Sequence, residues 1–473
     1  MIKTTKSIFF IGIKGAAMSN LAVIFKKMGK TVSGCDTDEE FITDTILHSY
    51  HIPNLVGFSE NILPKHVDLV VYSAAHNGKD NPIAIEALKR GVSIVSQGKL
   101  QNEILKGFKT SIAVSGCHGK TTTSSLLAYT LGKLGKKPSY MIGVPHFNGL
   151  PGGMYEGNDY FVIEADEYGV NPPLDKTPKL LLLNPTHIIC TNIDFDHPDV
   201  YKDITETKET FKTFFDHKRL YLCIDDPQIK SVMGSLDKKQ HLTYGFSKEA
   251  DLQIQNPVVN ETQSSFNLIY KGAPLGLFTI SLFGEKNISN AAGVILSLLD
   301  LGLNSEEIKK AIKNFSSVKR RNELIYHQND IYLFDDYGHH PAEIAATISA
   351  ARARFKNRRI ILLFQPHTFS RTLSLKADFA VSLATSDYCL VAPIFPSARE
   401  KKEKFKVTSY DIEKEANKKG VFHVKACDSK EYILNKLDKY LKKKDIVFTV
   451  GAGDIYKLHG DIIKIMNRHA QNT

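Results

Sequence analysis

Residues 112–124 read Ile112-Ala-Val-Ser-Gly116-Cys-His-Gly119-Lys120-Thr121-Thr122-Thr-Ser124. The apolar run Ile112 to Val114 predicts a short buried strand. Thr121 to Gly132, with Leu126, Leu127 and Leu131 on one side, predicts a helix. A strand, a glycine-bounded turn ending in Gly-Lys-Thr, and a helix together describe a phosphate-binding loop. Gly116 and Gly119 let backbone N–H groups turn toward a polyphosphate. Lys120 reaches the outer phosphates, and the Thr121 hydroxyl is placed to ligate magnesium at the helix N-terminus, with His118 and Thr122 beside the nucleotide. The loop is shorter than the full pattern, because Val114 stands where its first glycine belongs. A plain glycine-rich turn is the bland alternative, and it leaves the flanking strand and helix unexplained. ATP binding is the expectation.

Upstream, strand and helix patterns alternate as in a doubly wound sheet: Ile8 to Ile11, then Ala16 to Met28, then Thr31 to Ser33 and Val67 to Val71. The first turn, Gly12-Ile-Lys14-Gly15-Ala-Ala17, precedes an acidic residue, Asp36, at the end of the next strand. This is a degenerate dinucleotide fingerprint, with Lys14 and Ala17 at the second and third glycine positions. It speaks against a nicotinamide-dependent oxidoreductase and suits a nucleotide-sugar whose diphosphate Lys14 neutralises. Ser73 and Ser96 also follow strands, where ligand contacts gather in open sheets.

Downstream, two strands end in acids. Tyr160 to Ile163 leads into Glu164-Ala-Asp166-Glu167-Tyr168, and Ile188 to Cys190 leads into Thr191-Asn-Ile-Asp194-Phe-Asp196-His197. Carboxylates and one imidazole at strand ends beside a phosphate loop form a magnesium-type donor set. Pro172 to Pro185 reads as loop. Asn287 and Asn290 share the first turn of a helix, where they contact a nucleotide or cap the helix. Past Lys319-Arg320-Arg321, strand Ile331 to Phe334 feeds Asp335-Asp336-Tyr-Gly-His339-His340-Pro341, with Pro341 opening a helix. Strand Ile360 to Phe364 feeds Gln365-Pro-His367-Thr-Phe-Ser-Arg371.

The chain has 473 residues, 42% of them hydrophobic, which is ample for about three packed domains. Ser7 to Ile13 is too short to cross a bilayer, and no cleavable leader precedes it, so a cytoplasmic enzyme is expected. Six scattered cysteines without a Cys-x-x-Cys pair argue against disulfides and structural zinc. The formal charge of +10 suits an anionic substrate, while the dispersal of Lys and Arg gives no support to a nucleic-acid partner.

Six ordered segments carry a resemblance over nearly the whole chain: Gly116-Cys-His-Gly-Lys-Thr-Thr-Thr123, Glu164-Ala-Asp-Glu167, Asn192-Ile-Asp-Phe-Asp-His197, Asn287-x-x-Asn290, Arg320-Arg321 and Asp335-Asp-Tyr-Gly-His-His-Pro341. Together they resemble the Mur ligases of peptidoglycan synthesis. The resemblance implies an α/β chain of three domains, each built on a mostly parallel sheet. These are a Rossmann-like UDP-sugar domain (1–107), a phosphate-loop ATPase domain (108–316) and a Rossmann-like domain that closes over both (317–473). It also implies ATP-dependent amide ligation through an acyl phosphate, with magnesium, on UDP-N-acetylmuramate, by a monomer or homodimer with no membrane partner.

By the same resemblance, Thr121 and Glu164 hold one magnesium and His197 a second, and the catalytic set is Lys120, Glu164, His197, Arg320 and Asp336. Asn287, Asn290, Arg321 and Asp335 join the phosphate loop at the nucleotide. Gly12, Lys14, Gly15, Asp36, Ser73 and Ser96 serve the sugar nucleotide, and His339, His340, His367 and Arg371 serve the acceptor side. Phe364 to Thr372 and Gly451 to Leu458 follow the branch of the family that takes L-alanine. Met141 to Phe147 and Glu164 to Tyr168 resemble the branch that takes the tripeptide L-Ala-γ-D-Glu-meso-diaminopimelate. L-Alanine is the expected acceptor because its motifs lie in the domain that meets the amine. Cys117, Lys286 and Thr368 depart from the family's usual hydroxyl residue, His and Arg.

Overall fold

The computed structural model describes residues 2–316, 318–328, 330–396 and 405–471. Three separate α/β sheets follow one another along the chain. They lie within residues 1–107, 108–316 and 317–473; Ser317, the expected start of the third domain, falls outside the described residues.

The first sheet has five parallel strands, in the order Asn54–Val56, Thr31–Asp36, Ser7–Ile11, Leu69–Tyr72, Ser93–Ser96. Its centre is apolar on both faces because successive side chains alternate: Ile8 and Phe10 join one buried cluster, Phe9 and Ile11 another. The strand order reverses beside Ser7–Ile11, so the Gly12 turn opens at a topological switch point.

The second sheet has ten strands, and Thr110–Ser115 runs inside it between His187–Cys190 and Tyr160–Glu164, parallel to both. Its edges are antiparallel: Leu252–Val259, Ser264–Tyr270 and Ala273–Ile280 on one side, the hairpin Ser139–Phe147 with Leu150–Met154 on the other. The third sheet has six strands. Ile331–Asp336, Ile446–Val450, Ile360–Phe364, Tyr388–Val391 and Val424–Ala426 are parallel, with Glu323–Gln328 antiparallel at the edge.

One buried apolar cluster runs unbroken from Ile8 to Val318 through the first and second domains, whereas the third domain has two of its own, one on each face of its sheet. The weld between the first two is helix Ala16–Lys27 lying on the 139–154 hairpin. Asn20 donates from Nδ2 to the Ile142 and Val144 carbonyls at 2.5 and 3.1 Å. Gly152 and Gly153 face it where any Cβ would collide with the Val144 and Asn20 carbonyls. Pro172 to Pro185, expected as loop, contains strand Asp175–Pro178, which pairs antiparallel with Gly169–Asn171 just before it, and a 3-10 turn at Lys179–Leu182. No helix among the described residues is long and apolar enough to cross a membrane.

Candidate active site

The phosphate loop is built as its sequence requires. Helix Lys120–Lys133 starts directly after Gly119, whose φ of +83° belongs to the left-handed region, and a Cβ there would sit 3.0 Å from Asn290 Oδ1. Gly116, at φ +131°, lies so close to the Thr191 hydroxyl that no side chain fits. The adjoining strand end clamps the loop: Asn192 Oδ1 accepts the His118 amide at 3.0 Å, while Asn192 Nδ2 and Thr191 Oγ1 donate to the His118 carbonyl at 2.8 and 2.6 Å. Lys120 arches back over the loop, donating to the Gly116 carbonyl at 2.8 Å and to Glu167 Oε2 at 2.5 Å. Burial opposes its charge, but Glu167 and Asp166 outweigh burial and hold the ammonium protonated.

Two acid clusters flank Lys120. Glu164, level with Val114 on the neighbouring strand, accepts the Gly143 amide at 2.7 Å and the Thr121 hydroxyl at 3.2 Å; burial raises its pKa. In the second cluster, ligand atoms of Glu167, Asp196 and His197 all lie within 4.8 Å of one another. His197 Nε2 is 3.4 Å from Glu167 Oε1 and 3.6 Å from Asp196 Oδ2. Burial works against the Asp196 carboxylate, yet His197 and Arg371 hold it well below the usual range. The oxygen-rich donors on both sides of Lys120 fit magnesium, with Thr121 and Glu164 on one side and Glu167, Asp196 and His197 on the other.

The third domain completes the site. Arg371, buried with Asp196, donates to Asp196 Oδ1 from Nε at 3.1 Å and from Nη2 at 2.9 Å, which joins the third domain to the second. A cavity of about 970 Å³ lies among all three domains, lined among others by Lys120, Thr121, Glu164, His197, His339, His367 and Arg371. A second cavity, about 190 Å³, is lined by His118, Thr122, Asn287, Asn290, Asp336 and Glu343, among others. Arg321 reaches both. Burial pushes the Asp336 carboxyl up to about 6 despite Arg321 and the amides of Gly338 and Asn322. Burial also lowers His339 to about 3 and His367 to about 4, so both rings are neutral. Burial resists protonation of His118, but Asp194 and Glu343 raise it to about 9.

Several expected residues stand elsewhere. Arg320, expected to be catalytic, is engaged within its own domain: Nε donates to Asp335 at 3.0 Å, Nη2 donates to the Gly451 carbonyl at 2.7 Å, and the guanidinium lies 4.5 Å from the Tyr456 ring centroid. Asp335, expected at the nucleotide, is buried against Arg320, Thr449 and His459. Arg321, expected at the nucleotide, and Asp336, expected in the catalytic set, do face the cavities.

In the first domain Lys14 is buried, donating to the Glu39 carbonyl at 2.6 Å, with Asp44 at 3.5 Å. Asp36 accepts the amides of Lys14 and Thr37 and lies 3.5 Å from His76. Ser73 Oγ packs against Gly12, and Ser96 precedes helix Gln97–Leu105. The large cavity meets this domain at Ala16 and Ala17, at the end of the first turn just after Gly15, and at Gln97 and Gln101, one and five residues after Ser96. Sequence reasoning passed over Glu167, Asp196 and Glu343 as site residues, although Glu167 and Asp196 sit in the very acidic runs that pointed to metal binding. Glu343, three residues after His340, carried no such signal.

Three α/β domains closing on a phosphate loop flanked by acid clusters are the architecture of one group of ATP-dependent ligases, and the chain belongs to the Mur ligase family. The family's models match in order: "Mur ligase family, catalytic domain" over 7–109, "Mur ligase middle domain" over 114–298, and "Mur ligase, glutamate ligase domain" over 320–453. The chain is 34% identical over 469 residues to the UDP-N-acetylmuramate--L-alanine ligase of Desulfatibacillum aliphaticivorans, covering 97% of this chain and 98% of that one. The crystal structure of the UDP-N-acetylmuramate-alanine ligase of Thermotoga maritima superposes with a TM-score of 0.77 at 25% identity, covering 98% of this chain and 99% of that one. A murein peptide ligase from Psychrobacter arcticus shares the fold, with a TM-score of 0.71 at 23% identity and 98% of each chain covered.

Proposed function

We propose that this protein joins L-alanine to the lactyl carboxylate of UDP-N-acetylmuramate at the expense of ATP, in the cytoplasmic stage of peptidoglycan precursor synthesis. The observation that carries the reading is the single cavity in which Lys120, both acid clusters and the third domain's His339, His367 and Arg371 meet. It stands together with near-full-length similarity to relatives of that name. The tripeptide alternative has the support of a shared fold at 23% identity and of the Met141–Phe147 motif.

The lactyl carboxylate attacks the γ-phosphorus in line, giving an acyl phosphate and ADP. Lys120, charged and held at the loop, offsets the negative charge on the transferring phosphoryl oxygens, where catalysis is positioning and electrostatics. Thr121 and Glu164, and Glu167, Asp196 and His197, would hold magnesium, which would supply charge neutralisation there. Arg321 contributes a second fixed cation at the junction of the two cavities. The free amine of L-alanine then attacks the acyl carbon, and the tetrahedral adduct collapses to amide and phosphate. The proton that the amine sheds leaves with the departing phosphate or to solvent, because burial makes His339 and His367 weak bases; their neutral rings line the acceptor side without adding charge.

Phosphate release from ATP should require both the sugar nucleotide and L-alanine, with the amide seen by mass spectrometry. Release that needs tripeptide instead would transfer the protein to the other branch, and release indifferent to sugar would overturn ligation.

A further inference from the structure

We propose that His118, Asp194 and His340 form a binding site for a zinc-type transition ion, distinct from the magnesium-type cluster at Glu167, Asp196 and His197. One ligand atom from each residue lies within 4.8 Å of the other two. His118 Nε2 is 3.2 Å and His340 Nδ1 3.9 Å from Asp194 Oδ2. A tetrahedral zinc with bonds of about 2.0–2.1 Å sets its ligands roughly 3.3–3.4 Å apart, so these separations bracket the required one and small side-chain movements close it. Two imidazoles and one carboxylate select zinc or a similar ion over magnesium, which prefers oxygen donors.

His340 Nδ1, the nitrogen nearest Asp194, accepts the Ala342 amide at 3.3 Å as the cap of its helix, and binding an ion exchanges that hydrogen bond for a metal bond. One feature points to a ligand beyond the clustering itself. The remaining nitrogen of His118, Nδ1, faces Glu343 Oε1 at 3.6 Å, and a carboxylate behind an imidazole is the arrangement that orients metal-bound histidines. The two rings lie side by side, with centroids 4.6 Å apart. Binding replaces the proton that these carboxylates otherwise hold on His118.

The site bridges domains. His118 belongs to the phosphate loop and Asp194 to the strand end beside it, while His340 opens a helix of the third domain. An ion there ties the third domain to the loop. Three protein ligands leave one position for a water or a phosphate oxygen, and His118 and Asp194 line the smaller cavity. Zinc is therefore an inhibitory ligand of turnover, and this last step rests on the nucleotide reading of that cavity. The binding itself does not.

Cobalt(II) is the probe, titrated into the intact protein in excess magnesium without substrates and followed by the visible absorption of tetrahedral cobalt. One cobalt per chain, displaced by zinc, is expected. His118→Ala and His340→Ala should each weaken binding about 10- to 100-fold, while His197→Ala should leave it within about twofold. His340→Gln, close in volume, carries the test if an alanine variant fails to fold. No tetrahedral band in the wild type, or a band lost with His197 and kept without His340, overturns the proposal. No substrate is added, so failure here and failure of the ligase reading are separate results.

Discussion

Replacing Arg371 by Met tests whether one buried ion pair holds the third domain over the reaction cavity. The guanidinium is 5% exposed and the Asp196 carboxylate 3% exposed, and two N–H donors meet a single oxygen at 2.9 and 3.1 Å. Removing the cation strands a buried charge, which costs on the order of 3–5 kcal/mol. Asp196 belongs to the second domain and Arg371 to the third, so that cost falls on their docking and leaves the folding of either nearly unchanged. At about 1.4 kcal/mol per factor of ten, kcat/KM should fall between about 10²- and 10⁴-fold. The assay is phosphate release with all three substrates, beside a thermal melt. In an Asp196→Asn background the charge is already gone, so the same Arg371 change should cost no more than about threefold, which exposes the coupling. An Arg371→Met enzyme within threefold of wild type, or two losses that simply multiply, would refute the reasoning.

Three further outcomes are expected. His197→Ala should raise the half-saturating magnesium concentration at least about tenfold in the phosphate-release assay, and an unshifted titration would remove His197 from the ligand set. Gly119→Ala places a Cβ against Asn290 at positive φ, at a strain of roughly 1–2 kcal/mol; calorimetry should show nucleotide binding weakened about tenfold, and unchanged affinity would exclude the strained loop as its cause. Asp336 titrates near 6 in the folded protein against an ordinary 3.8, so folding takes up a proton. Its contribution is fully present below about pH 4 and is lost as pH rises through about 6, amounting to about 3 kcal/mol. Asp336→Asn should therefore gain stability over wild type at pH 8 and gain nothing at pH 4 in paired denaturant titrations; equal effects at both would show that burial is not what lifts this carboxyl.

The phosphate loop was legible because its chemistry is local: strand, glycines, Lys120 and Thr121 fall within a few residues. The acid clusters were legible for a related reason, since strand ends announce themselves by an abrupt change from apolar to charged. Arg320 and Arg321 were not separable, because adjacent residues differ only in which way the backbone turns them, and Arg320 sits at φ +60° with its guanidinium folded onto Asp335 and Tyr456. Lys14 was read as a phosphate contact from its place in a turn. Its partner carbonyl at Glu39 lies 25 residues on, beyond any local pattern. The hairpin at 139–154 went unread because four glycines break the strand signal for reasons beyond local pattern: Gly152 and Gly153 pack against Asn20, Gly143 lies against the Glu164 carboxylate, and Gly149 makes the turn at φ +77°.

The unbroken apolar core beneath the first two domains, set against the two private cores of the third, has a consequence for how such chains diversify. A recombination joint near Val318 passes between cores, whereas one near Gly107 cuts through a shared one. The third domain can therefore be exchanged as a unit that carries its own cores, whereas the first two have to be exchanged together.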